Sequence, residues 1–162
     1  MNILNVGMGE IKLSNTPGSI IAAPGLGSCI GLAMYDPTVK LGGMAHIVLP
    51  DSTNINKPGA LPGKYADLAV PELLNQMIKQ GAKKNNIIIK MAGGAQMFSF
   101  EKGGNILNIG MRNTIAVKAN LSAQGQTIRA NDTGGNKGRT VRLDISTGKV
   151  YVKIIGQQEV EI

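Results

Sequence analysis

The chain contains one cysteine and one histidine, and both stand beside glycines. Cys29 lies in Gly-Leu-Gly-Ser-Cys-Ile-Gly, and His46 lies in Gly-Gly-Met-Ala-His. A thiolate is a strong nucleophile, and an imidazole beside it can take the thiol proton and later protonate a leaving group. The pair therefore indicates thiol chemistry. The alternative is structural, because a lone cysteine is more often a small buried hydrophobe and a lone histidine a satisfied core or surface residue.

The glycines around Cys29 match the pattern Gly-x-nucleophile-x-Gly, in which small residues let a substrate approach the nucleophile. Backbone N–H groups of the loop at Gly27 and Ser28 are then free to act as an oxyanion hole. A nucleophile elbow normally continues into a helix, whereas the residues after Cys29 predict a strand. The glycine spacing also misses the dinucleotide-binding fingerprint. We predict no metal or other cofactor, since one Cys and one His fall short of a zinc site unless carboxylates contribute.

The composition predicts one domain spanning residues 1–162, with enough apolar content for a core. A single cysteine cannot form an internal disulfide, which agrees with a reducing compartment. We expect a cytoplasmic protein without membrane insertion, because neither a signal peptide nor an apolar run of membrane-spanning length is evident. The net charge is +7 and aromatic residues make up 3% of the chain. Few aromatics disfavour base stacking, so an acidic protein partner explains the charge better than nucleic acid does.

Two short apolar runs predict buried strands, over residues 29–35 and 44–49, and each is ended by a proline-containing turn. If they pair as an antiparallel hairpin, the start of the first strand meets the end of the second. That pairing brings Cys29 near His46.

The rest of the chain predicts further strands and two helices. A long polar segment, residues 51–64, is predicted to be functional because long loops in compact domains often are. An amphipathic helix is predicted around residues 68–78 and a second over 109–123, with Asn108 as its N-cap. Additional strands are predicted near residues 20–21, 87–91, 127–130, 139–145 and 150–155.

Several segments, in order along nearly the whole chain, resemble the CheD family, the chemoreceptor glutamine deamidases of bacterial chemotaxis. The matching segments are Gly25-Leu26-Gly27-Ser28-Cys29, Met44-Ala45-His46, Leu49-Pro50-Asp51-Ser52, Gly63-Lys64-Tyr65-Ala66-Asp67, Ala92-Gly93-Gly94-Ala95, Met97-Phe98, Asn108-Ile109-Gly110-x-Arg112-Asn113 and Asp132-Thr133-Gly134-Gly135. The resemblance implies an α/β (α+β) fold, namely a mixed β-sandwich flanked by helices and similar to toxin-type cysteine deamidases.

The resemblance also implies an activity, that of a protein-glutamine glutaminase. Cys29 would attack the side-chain amide of a receptor glutamine, and His46 would protonate departing ammonia and then activate water to hydrolyse the thioester. The implied partners are the cytoplasmic domains of chemotaxis receptors and a CheC-type phosphatase. The residues expected to contact substrate or partner are Lys64, Tyr65, Gly93 and Gly94.

One position departs from the family pattern. The family's third catalytic residue is a threonine, and the corresponding position here is Ala23, which has no hydroxyl to orient His46. The departure predicts slower turnover, unless a backbone carbonyl or another hydroxyl such as Ser52 or Thr53 holds the imidazole. Two alternatives therefore stay open: a weakened CheD-like module that binds chemotaxis partners such as CheC, and an anion- or nucleic-acid-binding domain driven by the positive charge.

Overall fold

The computed structural model describes residues 2–53, 61–97 and 108–162. These residues form two five-stranded mixed sheets that pack face to face, and two α-helices that pack on one of them. This confirms the predicted α+β class and the mixed β-sandwich. Both helices lie on the same side of the sandwich, so one sheet is covered on both faces.

The first sheet, called sheet A, holds the strands in the order β1-β3-β8-β9-β10, and the second, called sheet B, has the order β2-β5-β4-β6-β7. In sheet A the strands are β1 (Asn2–Asn5), β3 (Ser19–Leu26), β8 (Arg139–Asp144), β9 (Val150–Ile154) and β10 (Val160–Glu161). In sheet B they are β2 (Ile11–Ser14), β4 (Ile30–Asp36), β5 (Leu41–Ile47), β6 (Ile88–Gly93) and β7 (Ile128–Thr133). The helices are α1 (Ala66–Lys79) and α2 (Ile109–Ala123), with short 3-10 turns at Pro62–Lys64 and Lys84–Asn86.

Sheet B is the layer on which the candidate site is built. Every residue of β4 and β5 is buried, because the helices cover one face and sheet A covers the other. Side chains alternate between the faces of a strand. Leu32 and Ile47 accordingly join the helices in one hydrophobic cluster, whereas Cys29, Ala33 and Met44 join residues of sheet A in the other.

The predicted hairpin is confirmed. β4 and β5 are antiparallel neighbours, and the register pairs Ile30 with Ile47 and Gly31 with His46. The second strand begins earlier than predicted, at Leu41, because Gly42 and Gly43 lie inside it. Gly42 allows close packing, since a Cβ there would stand 2.8 Å from Leu143 Cδ2 of sheet A.

The helix predictions hold in detail. α2 covers the predicted residues, and the side chain of Asn108 accepts a hydrogen bond from the backbone N–H of Met111 at 3.3 Å, as an N-cap does. α1 begins at Ala66 and contains Pro71. Among the described residues, no helix has both the length and the apolar character that a membrane span needs.

Several features differ from the sequence-based expectation. The strand predicted near residues 20–21 extends to Leu26, with an irregular register between Ala23 and Leu26. The first residues form two strands in different sheets, and β10 was not predicted. In the segment expected to be a functional loop, residues 54–60 lie outside the described residues, as does Phe98 of the family-like segments.

Candidate active site

Cys29 and His46 project from the same face of the β4–β5 hairpin. His46 lies opposite Gly31 in the ladder, and Cys29 is two residues before Gly31, so alternation directs all three positions toward sheet A. Residues related by such a diagonal have Cα atoms about 7–8 Å apart, and their side chains are closer. The structure therefore places the cysteine and the histidine on one face of neighbouring strands, as the hairpin predicted.

The imidazole of His46 is held through one ring nitrogen and has the other free. The side chain is 4% exposed, and its Nδ1 lies 2.9 Å from the backbone oxygen of Val6. A carbonyl oxygen only accepts, so Nδ1 carries the hydrogen, and Nε2 of the neutral ring then holds a lone pair. Within the described ranges, Nε2 is buried without a hydrogen-bond partner. The contact with Val6 thus fixes the direction in which Nε2 points.

The carbonyl that holds His46 is itself fixed by the backbone around it. Val6 is fully buried, and its N–H donates to the oxygen of Ala22 at 2.8 Å. The backbone of His46 is bound on both sides, with Gly9 N donating to its oxygen at 2.9 Å and its own N–H donating to Glu10 at 3.1 Å. Residues 6–10 thus fix both the ring and the main chain of His46.

A backbone carbonyl, and not a side-chain hydroxyl, orients the ring of His46. Ser52 donates its hydroxyl to Asp67 at 2.7 Å, and Thr53 donates its own to Asp51 at 2.6 Å. Neither hydroxyl is the group bound to the imidazole. The backbone carbonyl of Val6 supplies the contact that the family threonine, replaced here by Ala23, was expected to make.

Cys29 is buried in the core between the two sheets. Its side chain is 8% exposed, and burial raises the pKa of the thiol above its ordinary value. The resting group is therefore a thiol rather than a preformed thiolate. A nucleophile of this kind needs a base that removes its proton during attack.

The loop that carries Cys29 has three consecutive carbonyls in hydrogen bonds. The oxygens of Gly27, Ser28 and Cys29 each accept a bond of 2.9 Å, from Ala95 N, Asn113 Nδ2 and Gly94 N respectively. In a planar trans peptide the C=O and the following N–H point in opposite directions. The N–H groups of Ser28 and Cys29 therefore point away from these partners, and they donate no hydrogen bond within the described part of the chain.

Gly93 and Gly94, expected to contact substrate or partner, are buried against the backbone of Cys29. Gly93 has φ +120°, and a Cβ there would overlap the Cys29 carbonyl oxygen, so only glycine fits. Gly94 also lines a cavity of about 250 Å³ together with Thr133 and Gly134. The two glycines shape the nucleophile loop, and any contact of theirs with a partner stays a prediction.

Lys64 and Tyr65 pair with the residues that directly follow β5, the strand that contains His46. The backbone oxygen of Lys64 accepts from Val48 N and Leu49 N, both at 2.9 Å, and Tyr65 pairs with Leu49 in an isolated bridge. Tyr65 is 7% exposed. The structure thus places both residues beside the site, and their predicted contact with substrate or partner is untested.

A larger cavity lies elsewhere. It measures about 640 Å³ and is lined by residues 84–89 and 125–129, at the start of β6 and β7. Cys29 lies beside the other end of β6, next to Gly94. Within residues 2–53, 61–97 and 108–162, no group of three or more His, Cys, Asp or Glu side chains is placed to share a metal ion.

Sequence reasoning missed two residues of the site. Val6 acts through its backbone, which leaves no mark in the sequence. Asn113 was part of a family-like segment but had no assigned role, and its Nδ2 contacts Ser28 O and Val48 O. The available signal was its position on the helix, three residues after Gly110 and four before Val117, which are both buried.

Comparison with known proteins places the chain in a family. A family model described as CheD chemotactic sensory transduction matches residues 48–154. A probable chemoreceptor glutamine deamidase CheD of Clostridium botulinum strain Alaska E43 is 49% identical over 159 residues, covering 98% of this chain and 97% of that protein. The protein of the same name from strain Hall is 46% identical with the same coverage. The crystal structure of the Bacillus licheniformis hypothetical protein YfiH matches with a TM-score of 0.45 and 13% identity, covering 83% of this chain and 60% of that one.

The family model extends over more than half of the chain, and the two relatives align with nearly all of it. The chain belongs to the CheD family.

Proposed function

We propose that the protein deamidates glutamine side chains of chemoreceptors, converting them to glutamate and ammonia with Cys29 as nucleophile and His46 as acid and base. The names of the Clostridium botulinum relatives support the substrate class. The observation that carries the mechanism is the free, buried Nε2 of His46, oriented by Val6 on the face that Cys29 shares.

In the first half-reaction, Nε2 of His46 takes the proton of the Cys29 thiol as Sγ attacks the amide carbon of the glutamine. Because burial raises the pKa of the thiol, the attack needs a base that takes its proton. Negative charge develops on the amide oxygen, and the N–H groups of Ser28 and Cys29 are the donors that would face it. The tetrahedral intermediate then collapses as the imidazolium gives its proton to the amide nitrogen and ammonia leaves.

In the second half-reaction, the thioester between Cys29 and the substrate is hydrolysed. Nε2, now unprotonated again, removes a proton from water, and the resulting hydroxide adds to the thioester carbon. The intermediate expels the Cys29 sulfur, which recovers the proton from His46. The product is a glutamate side chain, and atoms and protons balance with one water consumed and one ammonia released.

An apolar surface beside the site suits a helical receptor segment. Met111 and Ile115 are 56% and 59% exposed, and they lie one helical turn apart on α2. Met111 lines the cavity next to Gly94, and a Cβ on Gly27 would stand 3.0 Å from Cγ of the exposed Met97. A receptor helix lying there would contact the glycine loop that bonds the Cys29 carbonyl. Binding of a CheC-type phosphatase at this surface is part of the same proposal and rests on the family resemblance.

Mass spectrometry of a receptor cytoplasmic fragment tests the proposal. Incubation with the wild-type protein is expected to add about 1 Da per converted glutamine, and Cys29→Ser is expected to add none while keeping its fold. Ser52→Ala is a matched control, because its hydroxyl donates to Asp67 and the ring of His46 is bound to Val6 instead. Receptor binding by wild type without any mass gain would instead establish the non-catalytic binding module.

A further inference from the structure

Asn113 joins the two strands that carry the reactive pair. Its side chain is fully buried in the first part of α2, and its Nδ2 donates to Ser28 O and Val48 O, both at 2.9 Å. Both acceptors are carbonyl oxygens, so the amide can be oriented in one way only. Its Oδ1 has no hydrogen-bond partner within the described residues.

The two carbonyls bound by Asn113 lie close in sequence to Cys29 and His46. Ser28 directly precedes Cys29, and Val48 lies two residues beyond His46. The hairpin register pairs Ile30 with Ile47 and ends there, so extension by one residue sets Cys29 opposite Val48. One amide thus bonds both strands just past the last paired residues. At that point the ladder no longer sets their separation.

The helix α2, which carries Asn113, packs tightly against the loop at Gly94 and Ala95. α2 approaches the backbone of the neighbouring glycine loop so closely that a Cβ on Gly110 would overlap the carbonyl oxygens of Gly94 and Ala95. Gly94 in turn donates to the Cys29 carbonyl at 2.9 Å. The helix that presents Asn113 is therefore fixed to the same loop that holds the nucleophile.

The bond to Ser28 also sets the direction of a backbone donor. With the Ser28 oxygen held toward Asn113, the Cys29 N–H of the same peptide plane points the opposite way. Free rotation of that peptide would move the N–H away from the developing oxyanion. Preorganised donors of this kind lower the barrier because they need no reorientation during the reaction.

We propose that Asn113 is a positioning residue, which sets the separation of Cys29 and His46 and orients the Cys29 N–H. Its effect on turnover rests on the proposed deamidase function, whereas its effect on the reactive pair does not. Asn113 touches neither reacting atom. It acts through the two backbone carbonyls beside them.

A double-mutant cycle on thiol alkylation tests the positioning directly. Iodoacetamide modification of Cys29 near neutral pH is followed in wild type, Asn113→Ala, His46→Ala and the double variant. We expect Asn113→Ala to slow alkylation about ten-fold, because misplacement of a reacting group by about 1 Å has effects of this order or larger. In the His46→Ala background it should change the rate less than about two-fold. An equal effect in both backgrounds, or no effect in either, overturns the proposal.

Asn120→Ala is the matched control, since Asn120 is on the same helix and its Nδ2 donates to Ala116 within that helix at 2.8 Å. It should leave alkylation unchanged. In deamidation of a receptor fragment, Asn113→Ala should lower kcat about 100-fold and change KM less than about three-fold. A rise in KM alone contradicts positioning. If wild type does not deamidate, the proposed function fails, and the alkylation cycle still decides the role of Asn113.

A measurement on wild type covers the case in which Asn113→Ala does not fold. Both side-chain amide protons of ¹⁵N-labelled Asn113 should exchange slowly with water, because each is buried in a hydrogen bond to a carbonyl. Alkylation of Cys29 should shift both resonances. Fast exchange of these amide protons, or resonances that do not shift when Cys29 is alkylated, would overturn the proposal.

Discussion

The two ends of the β4–β5 hairpin each bury a polar side chain, and the two side chains differ in how many hydrogen bonds they make. At the turn end, Asp36 is fully buried, and its carboxylate accepts bonds from Thr38 N at 2.9 Å, Thr38 Oγ1 at 2.6 Å and Lys83 N at 2.9 Å. At the open end, His46 is almost as buried, yet its Nε2 has no partner among the described residues.

The contrast separates a fully hydrogen-bonded polar group from one that has no partner among the described residues. A buried polar group without a partner costs free energy, so proteins tolerate few of them. The carboxylate of Asp36 accepts several hydrogen bonds. Nε2 of His46 accepts none within the described residues, and its ring lies on the same face of the hairpin as Cys29. Burial alone does not distinguish the two ends, but the number of hydrogen bonds does.

The largest effect is expected at the open end. His46→Ala removes the base, so kcat for deamidation should fall about 10²- to 10⁴-fold while the free energy of unfolding changes little. Steady-state kinetics and thermal unfolding of the same preparation measure both. A loss of stability with unchanged kcat would make His46 a structural residue like Asp36.

The next effect belongs to the turn end. Asp36→Asn replaces one carboxylate oxygen by an NH₂ group that faces the N–H of Lys83, and we expect it to lower the free energy of unfolding by about 2 kcal/mol. Below the melting temperature kcat should stay unchanged. Asp51→Asn is the matched control: Asp51 accepts the same pair of bonds from Thr53 but is exposed, so its loss should be clearly smaller.

The stabilisation by Asp36 should depend on pH in a defined direction. Burial alone would raise the pKa of its carboxyl, but the hydrogen bonds from Thr38, Lys83 and Val39 outweigh it and hold the pKa below its ordinary value. The contribution is therefore present above the unfolded pKa of about 3.9 and is lost as pH falls through the folded pKa. Urea unfolding of wild type and Asp36→Asn should converge at acid pH. A gap that widens on acidification contradicts this assignment.

The smallest effect is expected from Ala23→Thr. The family pattern predicts slower turnover with Ala23, so restoring the threonine would on that basis raise kcat, by about ten-fold. Because Val6 already binds Nδ1 of His46, we now expect kcat to stay the same or to fall through overpacking at this fully buried position. Steady-state kinetics of the two proteins on one receptor fragment decide. An increase in kcat would mean that the carbonyl of Val6 orients the imidazole poorly.

The placement of Cys29 and His46 on one face of a hairpin was predictable because its signals are local. Two apolar runs ended by turn residues predicted the hairpin, and alternation along its strands then set Cys29 and His46 on one face. α2 was likewise predictable, since Asn108 marks its start and Gly125 follows its end.

The groups that support the pair were not predictable, because they come from distant parts of the chain. Val6 lies 40 residues from His46, and Asn113 lies 85 residues from Ser28. A backbone carbonyl has the same chemistry at every position, so nothing in the sequence distinguishes that of Val6. At Ala23 the family pattern predicted an imidazole without a group to orient it. The pattern shows that a hydroxyl is missing, but it does not show that the carbonyl of Val6 takes its place.

The pairing of β3 with β8 has a consequence for folding. Ile20 lies opposite Asp144, so sheet A joins residues from near both ends of the sequence. Contacts between residues so far apart in sequence form slowly, because a long loop must close first. Until sheet A covers sheet B, the Cys29 thiol is open to water and should show the reactivity of an ordinary free cysteine. The proposed nucleophile would thus also report on refolding, and pulsed alkylation during refolding would time the closure of the sandwich.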